Sequence, residues 1–254
     1  MQITFVGVGE AFDEILPNCS VLATTEAAMK RTSVLLDCGF TAATSYWRLA
    51  AFPTMLDALW ISHFHGDHFF GIPALLLRMH EEGRQRPLAV LGQSGVADRV
   101  ITAIDLAYPG TRHKFLFPLE FYELATGKTL ACCGFIFTTA TSEHSQPNLA
   151  LRLDANGRSL FYSGDGLPTP TTTSLARGVD LIVHESFSME QNIPGHGTVP
   201  GSIALAREAG VQRIAIVHVQ REVRHSRQAD ILALCADAVD VRAFLPEPGD
   251  IITI

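Results

Sequence analysis

The stretch Ile61-Ser62-His63-Phe64-His65-Gly66-Asp67-His68-Phe69-Phe70 guides the interpretation of the whole sequence, because it holds three histidines and one aspartate within six positions. It follows an apolar, strand-like run over residues 56–61 and precedes a helix-like run over residues 71–79. We therefore predict a loop between a strand and a helix. Imidazole nitrogens and carboxylate oxygens together suit zinc and similar divalent ions. The stretch therefore predicts the floor of a metal-dependent hydrolytic site.

The four polar side chains of this loop are best explained as parts of two metal sites. His63 and His65 are two positions apart, so an extended backbone directs both to the same side, toward one ion. Asp67 and His68 fall at the predicted start of the helix, where free backbone N–H groups and the helix dipole favour a carboxylate. Catalytic metal sites keep a coordination position open, and two-metal sites share bridging ligands. Further ligands are therefore expected at other strand ends.

Three more residues stand at the ends of apolar, strand-like runs, namely His144, Asp165 and His218. Each has small or turn-forming neighbours, as a loop at one rim of a sheet would. A single histidine in such a position is more often a surface residue or a satisfied core residue. The cluster at residues 63–68 makes metal ligation the favoured interpretation for all three.

Composition indicates an ordinary globular chain, with 254 residues, 47% hydrophobic and 18% charged. We predict one domain over residues 1–254. The net charge of −7 argues against a broad nucleic-acid-binding face, so such binding would need a local basic patch. The start of the chain has no basic leader, and no apolar run approaches the ~20 residues of a membrane span. Five cysteines without a CxxC spacing favour a reducing, cytoplasmic setting, with Cys132 and Cys133 as core thiols in a strand.

The order of predicted elements is strands and helices, a strand-rich middle, and then strands and helices again. It predicts two similar αβ halves packed sheet to sheet, with the site at the seam. Within them we expect a helix over Phe69–Glu82 and a helix capped by Ser94. We also expect a strand-rich stretch over Leu130–Thr141. The residues Asp154-Ala155-Asn156-Gly157 are typical of a hairpin turn between two strands.

The spacing His63-x-His65-x-Asp67-His68 resembles the signature of the metallo-β-lactamase fold, an α/β (α+β) fold that is a four-layer αββα sandwich. The order of His144, then Asp165 in Ser-Gly-Asp, then His218 is also similar. Within that superfamily the chain most resembles ribonuclease Z and its phosphodiesterase relatives. The segments that carry this closer resemblance are Phe5-Val6-Gly7-Val8-Gly9, Leu36-Asp37-Cys38-Gly39, Leu181-Ile182-Val183-His184-Glu185-Ser186-Phe187 and Gly195-His196-Gly197-Thr198.

The resemblance implies two divalent ions, with zinc preferred to manganese or iron. His63, His65 and His144 would hold one ion, Asp67, His68 and His218 would hold the other, and Asp165 would bridge them. Asp67, Glu185 and His196 would be the catalytic residues. Asp67 would accept a proton from the attacking water, and His196, steered by Glu185, would protonate the leaving oxygen. The resemblance also implies a homodimer.

The chain departs from ribonuclease Z in ways that affect the expected substrate. In that enzyme a tRNA-gripping arm is usually inserted between the positions of His144 and Asp165, where only twenty residues lie here. Gly166 replaces the threonine after the bridging aspartate. A basic rim could come from Arg84, Arg86, Arg112, His113 and Lys114, although scattered surface charge is the favoured interpretation. We therefore expect a small-molecule or short phosphodiester substrate rather than tRNA, and no membrane partner.

The expected reaction is cleavage of a phosphodiester by a metal-bridging hydroxide at a dinuclear centre. One alternative is hydrolysis of a carboxylic ester, lactone, thioester or aryl sulfate on the same centre. Another is a non-hydrolytic binding protein of a cofactor pathway. The full set of seven predicted ligands argues against a pure binding protein, which need not keep an open dinuclear site.

Overall fold

Fourteen β-strands form the two sheets at the centre of the protein, whose computed structural model describes residues 1–27, 30–190 and 193–254. In chain order the strands are β1 (Gln2–Gly7), β2 (Ser20–Ala27), β3 (Lys30–Leu36), β4 (Ala58–Ile61), β5 (Leu88–Gly92), β6 (Leu119–Glu123), β7 (Thr129–Cys132), β8 (Phe135–Ser142), β9 (Asn148–Ala155), β10 (Arg158–Tyr162), β11 (Leu181–Glu185), β12 (Arg213–Val217), β13 (Arg242–Phe244) and β14 (Ile251–Thr253). The first sheet runs β14-β1-β2-β3-β4-β5-β6 in space, and the second runs β13-β12-β11-β10-β9-β8-β7.

Helices cover the outer face of each sheet. They are α1 (Ala42–Leu49), α2 (Gly66–Phe69), α3 (Ile72–Glu81), α4 (Val96–Ala107), α5 (Pro170–Ala176), α6 (Val199–Glu208), α7 (Arg221–Ser226) and α8 (Gln228–Asp237), with short 3-10 turns at Pro53–Met55 and Arg112–Lys114. Within the described ranges, no helix has both the length and the apolar character that a bilayer crossing requires.

Apolar side chains from both sheets meet in a central core, where the rings of Trp60 and Phe137 lie 6.2 Å apart. Two further apolar clusters join each sheet to its own helices. A strand that is covered on both faces is apolar at successive positions, as in β4, where all four residues are buried. The result is a four-layer αββα sandwich, and the predicted architecture is confirmed.

The parallel strands of the two halves set the position of the site. β3 to β6 are parallel in the first sheet, and β10 to β13 are parallel in the second. Loops that leave the carboxyl ends of parallel strands share one rim, which is where ligands bind in α/β sheets. Polar residues follow at that rim after β3, β4, β10 and β12, and these are Asp37, His63, Asp165 and His218.

Several local predictions need correction. The predicted helix over Phe69–Glu82 corresponds to α3 and begins three residues later, because Phe69 is the last residue of α2 and Gly71 is the N-cap residue of α3. A Cβ at Gly71 would lie 2.0 Å from the Gly39 carbonyl oxygen, so this close contact between segments excludes a side chain. Ser94 does not cap α4. Its hydroxyl donates to Glu123 instead, and Gly95 is the N-cap residue, with φ of 85°.

The middle of the chain also differs in part from expectation. The strand-rich stretch Leu130–Thr141 is confirmed and consists of two strands, because Cys133 and Gly134 have φ of 52° and 77° and turn the chain between β7 and β8. Cys132 and Cys133 are consequently half-buried at a turn rather than core thiols. The predicted hairpin of β9 and β10 is confirmed. Its turn residues Asn156 and Gly157 both have positive φ, as a two-residue type I′ turn requires.

Candidate metal centre

The seven predicted ligands converge at the shared rim, although they come from four separate segments of the chain. His63 and His65 lie between β4 and α2, and α2 carries Asp67 and His68 in its only turn. His144 follows β8, Asp165 follows β10 and His218 follows β12. The structure therefore brings together the residues that the sequence placed at strand ends.

Three histidines, His63, His65 and His144, form what we call the first ligand group. His63 Nε2 lies 3.0 Å from His65 Nδ1, which lies 3.1 Å from His144 Nε2. The ligand atoms of this group and one carboxylate oxygen of Asp165 lie within 4.8 Å of one another. Three ring nitrogens thus face one small space, as they would around a single cation.

Asp67, His68 and His218 form the second ligand group. Asp67 Oδ2 lies 3.3 Å from His68 Nε2 and 3.1 Å from His218 Nε2. With a carboxylate oxygen of Asp165, these atoms also lie within 4.8 Å of one another. All four residues are buried.

Asp165 lies between the two ligand groups and presents one oxygen to each. Its Oδ2 is 3.9 Å from His63 Nε2 and 4.0 Å from His144 Nε2. Its Oδ1 is 3.2 Å from His68 Nε2 and 3.6 Å from His218 Nε2. This is the geometry that a carboxylate needs to bridge two cations.

The electrostatics of the two groups differ. Burial, together with the neighbouring imidazoles, lowers the pKa of His63 and His65, which keeps both rings neutral and their lone pairs free. In the second group, burial alone would lower the pKa of His68 and His218 and raise that of Asp67. Carboxylate charges outweigh burial at His68 and His218, and raise the pKa of His218 to about 9. The two histidines in turn hold the pKa of Asp67 below its usual range.

Asp37 supports both ligand groups and was not predicted to do so from the sequence. Its carboxylate accepts hydrogen bonds from His68 Nδ1 at 2.8 Å, from the Ser62 backbone N–H and hydroxyl at 2.7 Å, and from the Tyr162 hydroxyl at 2.8 Å. Ser62 Oγ in turn lies 3.0 Å from His63 Nδ1. The sequence contained a signal for this residue. Asp37 comes directly after an apolar strand and before Cys-Gly, where a charged residue is unusual. Its partners could not be read from spacing.

In His68 and His144 the Nδ1 atom makes a hydrogen bond, which leaves the lone pair of Nε2 free to bind a cation. Asp37 accepts a hydrogen bond from His68 Nδ1, and the Gly195 carbonyl accepts one from His144 Nδ1, at 2.8 Å each. Such partners fix the tautomer and the orientation of a ligating histidine. The donor set therefore fits divalent cations.

Two buried atoms in the middle of the cluster provide a test of that fit. His68 Nε2 and Asp165 Oδ1 are buried and lie 3.2 Å apart, yet within the described ranges neither makes a hydrogen bond. Buried polar atoms are normally satisfied, so each such atom needs an explanation. A cation in the second ligand group would satisfy both atoms.

Glu185 and His196, the other two predicted catalytic residues, lie beside the second ligand group. The Glu185 carboxylate accepts backbone N–H groups from Gly166, Gly197 and Phe187, at 3.0, 2.8 and 3.1 Å. His196 Nδ1 lies 3.4 Å from Glu185 Oε1. The carboxylate is therefore held rigidly at the position from which it faces His196.

A cavity of about 620 Å³ opens over the second ligand group. Its floor includes His65, Asp67, Asp165 and His218, and His196 stands in its wall. Cavities of ~300–1,000 Å³ are typical of small-molecule sites. The cavity therefore has the size of a small-molecule site directly above the cluster.

Metal affinity is expected to rise with pH and to level off above about pH 9. The pKa of His218 is raised to about 9. Below that pH the ring is protonated, so a cation must displace the proton. Each displaced proton makes affinity about tenfold stronger per pH unit. Competition between the protein and a zinc indicator, at about pH 6.5, 7.5 and 8.5, measures this slope, and an affinity independent of pH would contradict it.

Asp37→Asn is expected to weaken binding of one of two ions by ~10–100-fold, the usual cost of losing a carboxylate behind a ligating histidine. The amide keeps the shape of Asp37 but loses the charge that holds the Nδ1 proton of His68. Calorimetric titration with zinc resolves the two binding steps. Asp57→Asn is the matched control, because Asp57 is a buried aspartate that binds Arg86 and the Ser33 backbone away from the cluster. Equal losses in both variants would argue against the role of Asp37.

Comparison with known proteins extends over almost the whole chain. Residues 1–233 match the sequence model of the family described as "Anti-Pycsar protein Apyc1". Ribonuclease BN of Cronobacter sakazakii is 25% identical over an alignment of 294 positions, which covers 92% of this chain and 94% of that protein.

Two solved structures superpose on nearly every residue. The metallo-β-lactamase fold protein YhfI of Bacillus subtilis has a TM-score of 0.81 at 17% identity, covering 99% of this chain and 98% of its own. The short form of human tRNase Z has a TM-score of 0.80 at 20% identity, covering 100% and 99%. The predicted metallo-β-lactamase fold and the likeness to its ribonuclease Z branch are confirmed.

Proposed function

This chain belongs to the Anti-Pycsar protein Apyc1 family, and on that premise we propose that it is a metal-dependent hydrolase that cleaves a small phosphodiester at a dinuclear centre. The observation that carries the proposal is the position of Asp165, with one carboxylate oxygen toward each ligand group. A centre that held only one ion would leave one of these oxygens, and one group of histidines, without a purpose.

The two ligand groups and Asp165 are the residues that would hold the ions, and we propose zinc for both sites. When bound, two divalent ions lower the pKa of a water molecule toward neutrality and stabilise charge on a phosphoryl oxygen. Imidazole and carboxylate ligands also accept manganese and iron, so the test includes all three metals.

The protein itself would move the protons. Asp67 lines the cavity, where it would accept a proton from the attacking water. His196 stands in the wall of the same cavity and would protonate the leaving oxygen. Glu185 would be the positioning residue. Three backbone N–H groups hold its carboxylate in place, with Oε1 3.4 Å from His196 Nδ1.

The short hairpin between His144 and Asp165 and the pairing of the nearby arginines favour a short phosphodiester over tRNA. The residues between His144 and Asp165 form the compact hairpin of β9 and β10, whose strands are joined by a two-residue turn. The suggested basic rim gains no support. Arg84 is 3% exposed and donates to backbone carbonyls, and Arg86 and Arg112 are paired with aspartates. Ribonuclease BN is nonetheless a curated relative, so RNA cleavage is the second candidate.

The proposal is tested with purified protein of known metal content. The substrates are bis(p-nitrophenyl) phosphate, a cyclic mononucleotide, a dinucleotide and a tRNA precursor, beside a lactone, a thioester and an aryl sulfate. We expect hydrolysis of the small phosphodiesters, loss of activity with a chelator and recovery with zinc, manganese or iron. Activity confined to the lactone, thioester or sulfate would support the other ester class. A chain that holds two metal ions but hydrolyses none of these substrates would be a binding protein.

A further inference from the structure

Cys132 and Cys133 lie side by side where the chain turns from β7 into β8, at the rim opposite the metal centre. β8 begins just after this turn, and His144 follows the other end of the strand. The two sulfur atoms lie 3.3 Å apart, and both side chains are partly exposed. The other three cysteines of the chain are buried, namely Cys19, Cys38 and Cys235. A small reagent can therefore reach two thiols at once in this turn.

The backbone of the turn is one that a cysteine rarely adopts. Cys133 and Gly134 have φ of 52° and 77°, as a two-residue type I′ turn requires. Such turns prefer asparagine followed by glycine, because most residues with a Cβ are disfavoured at positive φ. The turn between β9 and β10 has the same geometry and contains that preferred pair, Asn156 and Gly157. The cysteine at position 133 is therefore conformationally costly, and its thiol calls for a functional explanation.

The two thiols and a backbone carbonyl form a short chain of hydrogen bonds. The Cys133 S–H donates to the Asp57 carbonyl oxygen at 3.6 Å. Because a thiol has only one proton, the bond between the two sulfur atoms must be donated by Cys132. This hydrogen bond lowers the pKa of Cys133 and raises that of Cys132. Cys133 is therefore the better nucleophile of the two, since the thiolate is the form that attacks a disulfide.

A metal site is a poorer explanation for this pair of thiols. Within the described ranges, every group of three or more potential metal ligands lies at or beside the metal centre, and none includes Cys132 or Cys133. A structural zinc site needs four ligands. Two adjacent thiols without further ligands suit oxidation to a disulfide instead.

We infer that Cys132 and Cys133 are a reversible redox site, at which a small disulfide such as oxidised glutathione converts the two thiols to one intramolecular disulfide. The Cys133 thiolate attacks the small disulfide, which gives a mixed disulfide and releases one small thiol. The Cys132 thiol then loses its proton and attacks the Cys133 sulfur, which releases the second small thiol. The protein loses two hydrogens in total, and the small disulfide is reduced to two thiols.

The same oxidation releases a contact between the two halves of the sandwich. β7 and β8 belong to the second sheet, whereas Asp57 directly precedes β4 of the first sheet. In the disulfide, Cys133 has no proton left to donate to the Asp57 carbonyl. A bridge between neighbouring residues closes almost no loop, so it restricts the unfolded chain very little. We therefore expect the oxidised protein to unfold at a temperature a few degrees lower than the reduced protein.

The strain of the product makes the oxidation reversible. Neighbouring Cα atoms are ~3.8 Å apart, whereas the Cα atoms of a disulfide are usually about 4.4–6.8 Å apart. A disulfide between Cys132 and Cys133 is therefore strained, and strained disulfides are the ones that thiols reduce easily.

The test exposes the purified, metal-loaded protein to mixtures of reduced and oxidised glutathione, and then blocks free thiols with N-ethylmaleimide. Mass spectrometry follows the tryptic peptide of residues 129–152, which contains both cysteines of the pair and no other cysteine. As the share of oxidised glutathione rises, we expect this peptide to lose two hydrogens and to escape labelling. Dithiothreitol should restore both thiols and the higher unfolding temperature.

Three variants distinguish the pair from a single reactive thiol. Cys132→Ser and Cys133→Asn each leave one thiol, so we expect a mixed disulfide with glutathione and no loss of two hydrogens. Cys133→Asn introduces the residue that a type I′ turn prefers, so this variant should fold. Cys235→Ser is the control, because Cys235 is a buried thiol of α8, and this variant should oxidise as the wild type does.

Three results would overturn the inference. The first is a wild-type peptide that keeps both thiols, and the second is one that takes up glutathione without closing the ring. The third is a disulfide between copies of the chain, seen on a non-reducing gel. An unfolding temperature that ring closure leaves unchanged or raises would contradict the release of the Asp57 contact.

Discussion

Asp165→Ala is expected to reduce the metal content from two ions per chain to one or none and to lower kcat/KM for bis(p-nitrophenyl) phosphate by at least about 1,000-fold. The carboxylate faces all four of the histidines His63, His68, His144 and His218. Without it, neither ligand group keeps its fourth ligand, and the several kcal/mol that bound cations contribute to the transition state are lost. Elemental analysis of dialysed protein measures the metal, and steady-state kinetics measures the activity.

Two companion variants make this result specific. His65→Ala should lose the ion of the first ligand group, because His65 Nδ1 contacts both other histidines of that group. Asp154→Asn is the control, since Asp154 is paired with Arg152 in the β9 strand and is not part of the cluster. Thermal unfolding of each metal-free variant shows whether it folds. If folded Asp165→Ala and His65→Ala both keep two ions, the ligand assignment is wrong.

His196→Ala is expected to lower kcat by about 100–10,000-fold for a phosphodiester with an alkyl leaving group, the range typical of general acid catalysis. The loss should be within about tenfold when the leaving group is p-nitrophenolate, which departs without a proton. A ligand or a purely structural residue would affect both substrates alike. The dependence on leaving group is therefore the informative measurement.

Glu185→Gln tests whether Glu185 positions His196. The amide retains the shape of Glu185 but removes the charge that faces His196 Nδ1 at 3.4 Å. We expect a smaller loss than in His196→Ala, again larger for the alkyl leaving group. His113→Ala is the control, because His113 is exposed in the 3-10 turn Arg112–Lys114. Equal losses for both leaving groups in His196→Ala would exclude a role in protonation.

The fold and the location of the site could be predicted because their signals are local. The ligands of residues 63–68 follow an apolar strand directly, and each later candidate ends another such strand. Parallel strands then bring their carboxyl ends to one rim, whatever the lengths of the connections between them. The ends of helices and strands were less predictable where a contact with a distant part of the chain decides them. Gly71, the N-cap residue of α3, packs against the carbonyl of Gly39, and nothing in the residues around position 71 indicates that neighbour.

By itself the sequence determined the sandwich architecture, the metal chemistry and the seven candidate ligands, because spacing along the chain and side-chain chemistry are both visible in it. Only the tertiary structure decided which groups stand behind those ligands and what surrounds the substrate. Asp37 meets Tyr162 across 125 positions, and Glu10 meets Arg221 across 211. Such pairs form because packing of the two halves brings distant strand ends and loops to the same rim. Separation along the chain carries no information about that packing.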